Sequence, residues 1–134
     1  MKVYLASSFD LTERVQKIAD LLQEKGIGVT RKWWLKDYKS AFGQISNEAW
    51  YREEKVRWVS RENFKAIDQA DAVILVCPPD SPHNFTGANI EVGYAIAKNK
   101  RVLSVGALGR SAMYVPVEKH SSIETLLLAL KHEN

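Results

Sequence analysis

Short unbroken apolar runs alternate along this chain with longer stretches in which apolar residues recur every three or four positions, the spacing of one helical face. The first run, Val3-Tyr-Leu-Ala inside residues 2–6, predicts a buried strand. After Ser7-Ser8-Phe9, a helix opens near Asp10, with Leu11, Val15, Ile18, Ala19 and Leu22 on one face and Gly26 placed to end it. Residues 27–33 predict a second strand, and residues 34–46 read as irregular around the breaker Gly43. Between Asn47 and Gln69 the charged stretch carrying Trp50, Val56, Val59, Phe64 and Ile67 predicts one helix or two consecutive ones. A second fully apolar run, residues 72–77, predicts a buried strand. It leads through a loop holding Pro78, Pro79 and Pro82 into an alanine-rich helix over residues 88–98, then a strand over 101–105 and a closing helix over 122–131. Such alternation predicts an α/β fold with a largely parallel sheet, a Rossmann-like (flavodoxin-like) three-layer sandwich formed by residues 1–134 as a single domain.

A chain of 134 residues, 46% of them hydrophobic, can bury one core but is short for two ordinary domains. Nineteen basic against sixteen acidic residues leave a net charge of +3, interspersed rather than blocked, which suits an anionic small molecule as well as a polyanion. The single Cys77 lies in an apolar strand and has no partner for an internal disulfide, as expected of a small hydrophobe in a reducing compartment. The N-terminal apolar run is too short for a signal peptide and no later run reaches membrane-spanning length, so a cytoplasmic protein without a membrane partner is expected. His120 and His132 lack metal-ligand spacing, and neither a metal nor another cofactor is expected.

Glu91 stands in Gly87-Ala-Asn-Ile-Glu-Val-Gly-Tyr-Ala-Ile-Ala, read here as the first turn of a helix at the carboxyl end of a buried strand. Open α/β sheets bind ligands at that end, and the positive helix terminus favours an ionised carboxylate. Such a group can serve as a nucleophile, or it can be an ordinary first-turn acid. Trp33 and Trp34 interleave with Arg31, Lys32 and Lys36, a pattern that suits core or interface packing more than stacking on a base or a single-stranded nucleic acid; Trp50 and Trp58 read the same way. No extended basic stripe marks a nucleic-acid partner.

Three stretches taken together, Val3-Tyr-Leu-Ala-Ser-Ser, Ile67-Asp-Gln-Ala-Asp71-Ala-Val-Ile, and Gly87 to Ala97 with Lys100-Arg-Val-Leu beyond, resemble the nucleoside 2-deoxyribosyltransferase family and its relatives that hydrolyse 2'-deoxynucleoside 5'-monophosphates. The resemblance implies cleavage of the N-glycosidic bond, with Glu91 in the position of the family nucleophile and Tyr4 in that of the tyrosine that orients it. Water as acceptor makes a hydrolase; a base makes a transferase. Asn63 stands where the family carries an aspartate positioned for the leaving base, and an amide cannot deliver a proton. Returning an aspartate to that position is expected to raise the rate or widen the range of bases, while Asp68 and Asp71 read as structural carboxylates or substitute acids.

Phosphate recognition separates nucleotide from nucleoside substrates. Ser7 and Ser8 near one helix start, and Thr86, Gly87 and Asn89 at another, are candidate substrate-binding residues, or ordinary caps. The family's transferases hold the free 5'-hydroxyl with a carboxylate just before the Gly87 position; Phe85 and Thr86 stand there instead, which leans towards a phosphorylated ligand. Gly109-Arg110-Ser111-Ala112-Met113 resembles a segment that the monophosphate hydrolases extend into a neighbouring subunit's site, so Arg110 and Ser111 are expected to serve a homodimer with shared active sites. His83 can face the ligand or solvent. The expected function is an N-glycosidase of (deoxy)nucleoside 5'-monophosphates, against a non-catalytic nucleotide-binding protein or a base-exchanging transferase.

Overall fold

The computed structural model describes residues 1–131. Five parallel strands form one sheet: β1 (Lys2–Ala6), β2 (Gly28–Val29), β3 (Ala72–Val76), β4 (Arg101–Val105) and β5 (Glu118–His120), in the order β2-β1-β3-β4-β5. That is the flavodoxin-like order, and its direction reverses between β1 and β3, where ligand crevices open at the strand carboxyl ends. The central strands are apolar throughout because helices cover both of their faces; every residue of β3 is buried. Helices α1 (Thr12–Glu24) and α6 (Ile123–Lys131) line a common cleft on one face. On the other, α4 (Glu54–Asp68) and α5 (Thr86–Ala97) pack against each other and against β1. Two short helices, α2 (Tyr38–Phe42) and α3 (Asn47–Trp50), precede α4.

The apolar runs predicted β1, β3 and β4 to within a residue, and the edges depart from the pattern. Instead of a strand over residues 27–33, β2 pairs only at Gly28 and Val29. The chain then turns through a 3-10 turn, Trp33–Leu35, so that the Trp33 indole donates to the Leu5 carbonyl at 2.7 Å. Satisfying that buried indole N–H over the end of β1 outweighs extending an edge pairing. Within 34–46, read as irregular, the Asp37 carboxylate accepts from Ser40 N and caps α2, while Gly43 follows its last turn. Ser46 caps α3 likewise, so the 47–69 stretch resolves into two helices. The charged strand β5 carries no apolar signature and was not expected; its backbone pairs with β4 alone. Gly106 closes β4 with φ +105°, and an added Cβ would lie 2.6 Å from the Cys77 carbonyl, so the backbones of these neighbouring strand ends touch directly. Cys77 is buried and burial raises its thiol pKa to about 11, the behaviour of an inert core group. No described helix is long and apolar enough to cross a membrane.

Candidate active site

Glu91 lies in the second turn of α5, because the helix begins at Thr86 rather than at Ala88. Phe85, buried in the core, anchors that start, and the first turn contains no acidic residue. The expected help from the positive helix end is therefore weak, since it fades beyond the first turn. Burial dominates instead, raising the Glu91 pKa to about 7, while hydrogen bonds from Tyr4 and Asn63 and the charge of Arg31 offset part of the rise. The carboxyl group changes its charge near neutrality, where the position read from the sequence favoured the ionised form.

Tyr4, paired with Val73 in the sheet register, is fully buried and turns its ring to the α5 side, where its hydroxyl donates to Glu91 Oε2 at 2.6 Å. Burial first, then the Glu91 charge, raises the Tyr4 pKa far above the usual tyrosine value. The phenol stays protonated and acts only as a donor to this carboxylate. Asn63, from α4, completes the polar side: its Oδ1 accepts from Arg31 Nε at 2.8 Å. Arg31 also donates to the Tyr38 hydroxyl at 2.8 Å and lies over the Trp58 ring, 5.0 Å from its centroid. Neither Arg31 nor Tyr38 was singled out for the site from the sequence. Arg31 stood in a visible cation–aromatic cluster, but nothing local indicated that it faces α4 while its neighbours Trp33 and Trp34 turn into the core.

Glu91 and Asn63 open onto a cavity of about 500 Å³ whose walls are mostly apolar and aromatic. Phe9, Tyr38, Phe42 and Trp50 form a continuous ring series with successive centroids 5.6, 5.3 and 6.2 Å apart, the outer two pairs edge-to-face and Tyr38 tilted on Phe42. Lys39 and Gly87 stand on its border. A Cβ added to Gly87 would meet no atom within 4 Å, so packing does not require glycine there. A planar aromatic ligand with one polar edge fits such a chamber.

The remaining candidates divide between this cavity and other places. The Ser7 hydroxyl donates to the Val76 carbonyl at 2.8 Å, tying the carboxyl ends of β1 and β3 together, and Ser8 caps the 3-10 turn Phe9–Leu11 by accepting from Asp10 N. Thr86 is exposed in the first turn of α5. Asn89 is turned away: it accepts from the Tyr114 hydroxyl at 2.5 Å in a second cleft, of about 770 Å³, across α5. Ser111 lines that same cleft and accepts from Met113 N, next to the exposed Arg110. Within one chain, then, Asn89 and Ser111 do not share the chamber of Glu91. Asp68 accepts from the Tyr94 hydroxyl and Asp71 from the backbone N–H of Lys2, so both carboxylates serve the frame at the amino ends of the strands. His83 faces Asp10 and the Phe85 ring rather than Glu91. His120 contacts Thr125, and His132 lies outside the described residues. Among the described residues no cluster of His, Cys, Asp or Glu is placed to hold a metal ion. Trp33 and Trp34 are core residues, each with its indole N–H bonded.

A half-buried carboxylate oriented by a tyrosine, beside an amide donor and an aromatic chamber, can attack an electrophilic carbon on a ligand whose ring stacks in the chamber. A family model described as nucleoside 2-deoxyribosyltransferase matches residues 3–126. Among solved structures, the chain is similar to a CMP N-glycosidase from Clostridium botulinum, BcmB, with 18% identity, a TM-score of 0.61, and coverage of 98% of this chain and 100% of that one. It is also similar to a 2-deoxyribosyltransferase from Bacillus psychrosaccharolyticus, with 20% identity, a TM-score of 0.57, and coverage of 83% and 76%. At these identities the likeness is one of fold. No curated protein matches the chain in sequence.

Proposed function

The chain belongs to the nucleoside 2-deoxyribosyltransferase family, whose members act on the N-glycosidic bond, and from that premise we propose that it is an N-glycosidase of nucleoside 5'-monophosphates that works through a covalent glycosyl-glutamate at Glu91. The observation that carries this reading is the 2.6 Å hydrogen bond from Tyr4 to Glu91 at the mouth of the aromatic chamber. In its ionised form Glu91 attacks the anomeric carbon from the face opposite the base, Tyr4 holds the attacking carboxylate in place, and the base lies among Phe9, Tyr38, Phe42 and Trp50. Water then hydrolyses the glycosyl ester.

Support for a phosphorylated sugar comes from the start of α5. Its first turn offers backbone N–H groups at Thr86 and Gly87 beside the Thr86 hydroxyl, with no carboxylate to repel an anion. Ser111 lies across α5 in the same chain, with the exposed Arg110 next to it, so in this reading they reach a phosphate only from a second copy, which makes the enzyme a homodimer with shared sites. Incubating the protein with nucleosides and their 5'-monophosphates, with and without a second free base, tests the proposal. Base release from monophosphates is the expected result. Base exchange would make the protein a transferase, and binding without turnover would make it a nucleotide-binding protein.

A further inference from the structure

We propose that Arg31 and Asn63 together form a charge-backed hydrogen-bond donor for the leaving base, which departs as an anion held by the Asn63 amide instead of being protonated by an acid; this rests on the glycosidase reading above. Arg31 has only donors, so the atom of Asn63 that meets its Nε at 2.8 Å must be the amide oxygen. That contact settles which way the amide points: its NH2 group is left for the cavity. Glu91 lines the same cavity, its pKa lowered by the Asn63 amide, and the NH2 group can also meet an acceptor on the base.

The cation behind the amide is held rigidly. Its Nη2 donates to the Tyr38 hydroxyl, its Cζ lies over the Trp58 ring, and it is partly buried, so its charge is less screened than that of a solvated arginine. A guanidinium bonded to an amide oxygen polarises the amide and strengthens its N–H donors. In the reaction, a Glu91 oxygen forms a bond to the anomeric carbon, and the C–N bond breaks with its electron pair passing to the base. Asn63 N–H holds the developing negative charge, and the base takes a proton from water after it leaves. The suited bases carry an acceptor, a carbonyl oxygen or an unprotonated ring nitrogen, next to the glycosidic nitrogen. Asn63 is the catalytic donor and Arg31 a positioning residue. An aspartate at position 63 would pair with Arg31 and remain ionised, so the gain expected from Asn63→Asp on sequence grounds does not follow while Arg31 is present.

The test measures base release by the protein from nucleoside monophosphates whose bases differ in leaving ability, such as uracil and 5-fluorouracil. Arg31→Gln and Asn63→Ala are each expected to lose about a hundredfold on the poorer leaving group and much less on the activated one. Asn63→Asp is expected to be slow with Arg31 present, and in an Arg31→Gln background to recover activity with a lower pH optimum, because the new carboxyl can then carry a proton. Equal slowing on all leaving groups, or a fast Asn63→Asp single variant, would overturn the proposal while leaving the glycosidase reading intact. A wild-type protein that releases no base would overturn both. Should Arg31→Gln fail to fold, the Asn63→Ala comparison decides alone.

Discussion

Ionising Glu91 costs the folded chain more than the unfolded one, because folding removes the carboxylate from water and returns only part of that loss through Tyr4, Asn63 and Arg31. Its raised pKa means that the proton is held more tightly in the fold. The corresponding stability is fully present below pH about 4.5 and is lost as pH rises through about 7. Glu91→Gln removes the ionisation and nearly keeps the shape. Thermal melts at pH 8 should therefore show the variant more stable than wild type, by about 1–3 kcal/mol, while base release disappears and nucleotide binding, followed by calorimetry, remains. Retained base release would remove Glu91 from the mechanism. In wild type the rate should rise with pH through about 7 as the carboxylate forms and level off above it. Tyr4→Phe deletes the hydrogen bond that favours the charged form, so the midpoint of that profile should move to higher pH and the plateau rate should fall. An unchanged midpoint would mean that the 2.6 Å contact does not tune the carboxylate.

At the scale of elements, α5 carries both the candidate chemistry and the wall between two clefts. Its first turn contains Gly87, a poor helix residue for which no neighbouring atom creates a need. Glycine costs a helix roughly 0.5–1 kcal/mol relative to alanine, so its presence beside the cavity fits a site where a ligand approaches the backbone. Gly87→Ala should raise the melting temperature slightly while raising KM for a monophosphate more than it lowers kcat. A variant with unaltered KM would show that the ligand does not come close to this turn. Helices α2 and α3 owe their existence to the caps Asp37 and Ser46, and together they bring Tyr38, Phe42 and Trp50 over the mouth of the sheet. The caps are visible in the sequence as single polar residues, but α2, with five residues, is too short for a periodic apolar pattern, which explains why residues 34–46 read as irregular.

For the whole molecule, a site completed by a second copy predicts complementation. Glu91→Gln should be inactive alone, and Arg110→Ala combined with Ser111→Ala weak on monophosphates; mixing them should restore activity, because a mixed dimer contains one site with both sets intact. The Arg110 and Ser111 double variant should also weaken monophosphate binding at least tenfold and nucleoside binding little, since a charge-assisted contact contributes about 1.5–3 kcal/mol. No recovery on mixing, with sedimentation showing monomers, would remove the shared site. The sequence by itself determined the α/β class, the three inner strands and the Glu91 helix, because burial on both faces leaves uninterrupted apolar runs and the motifs around Tyr4 and Glu91 are local. Tertiary structure alone decided the rest. The ends of the edge strands follow from what their neighbours can pair, not from their own composition. The side of α5 that each candidate faces depends on helix rotation against the sheet, which sends Glu91 to one cleft and Asn89 to the other. Arg31 meets Asn63 across 32 positions because sheet order sets the end of β2 beside α4, and Glu91 titrates near pH 7 because desolvation is a property of the surrounding packing, which no stretch of sequence carries alone.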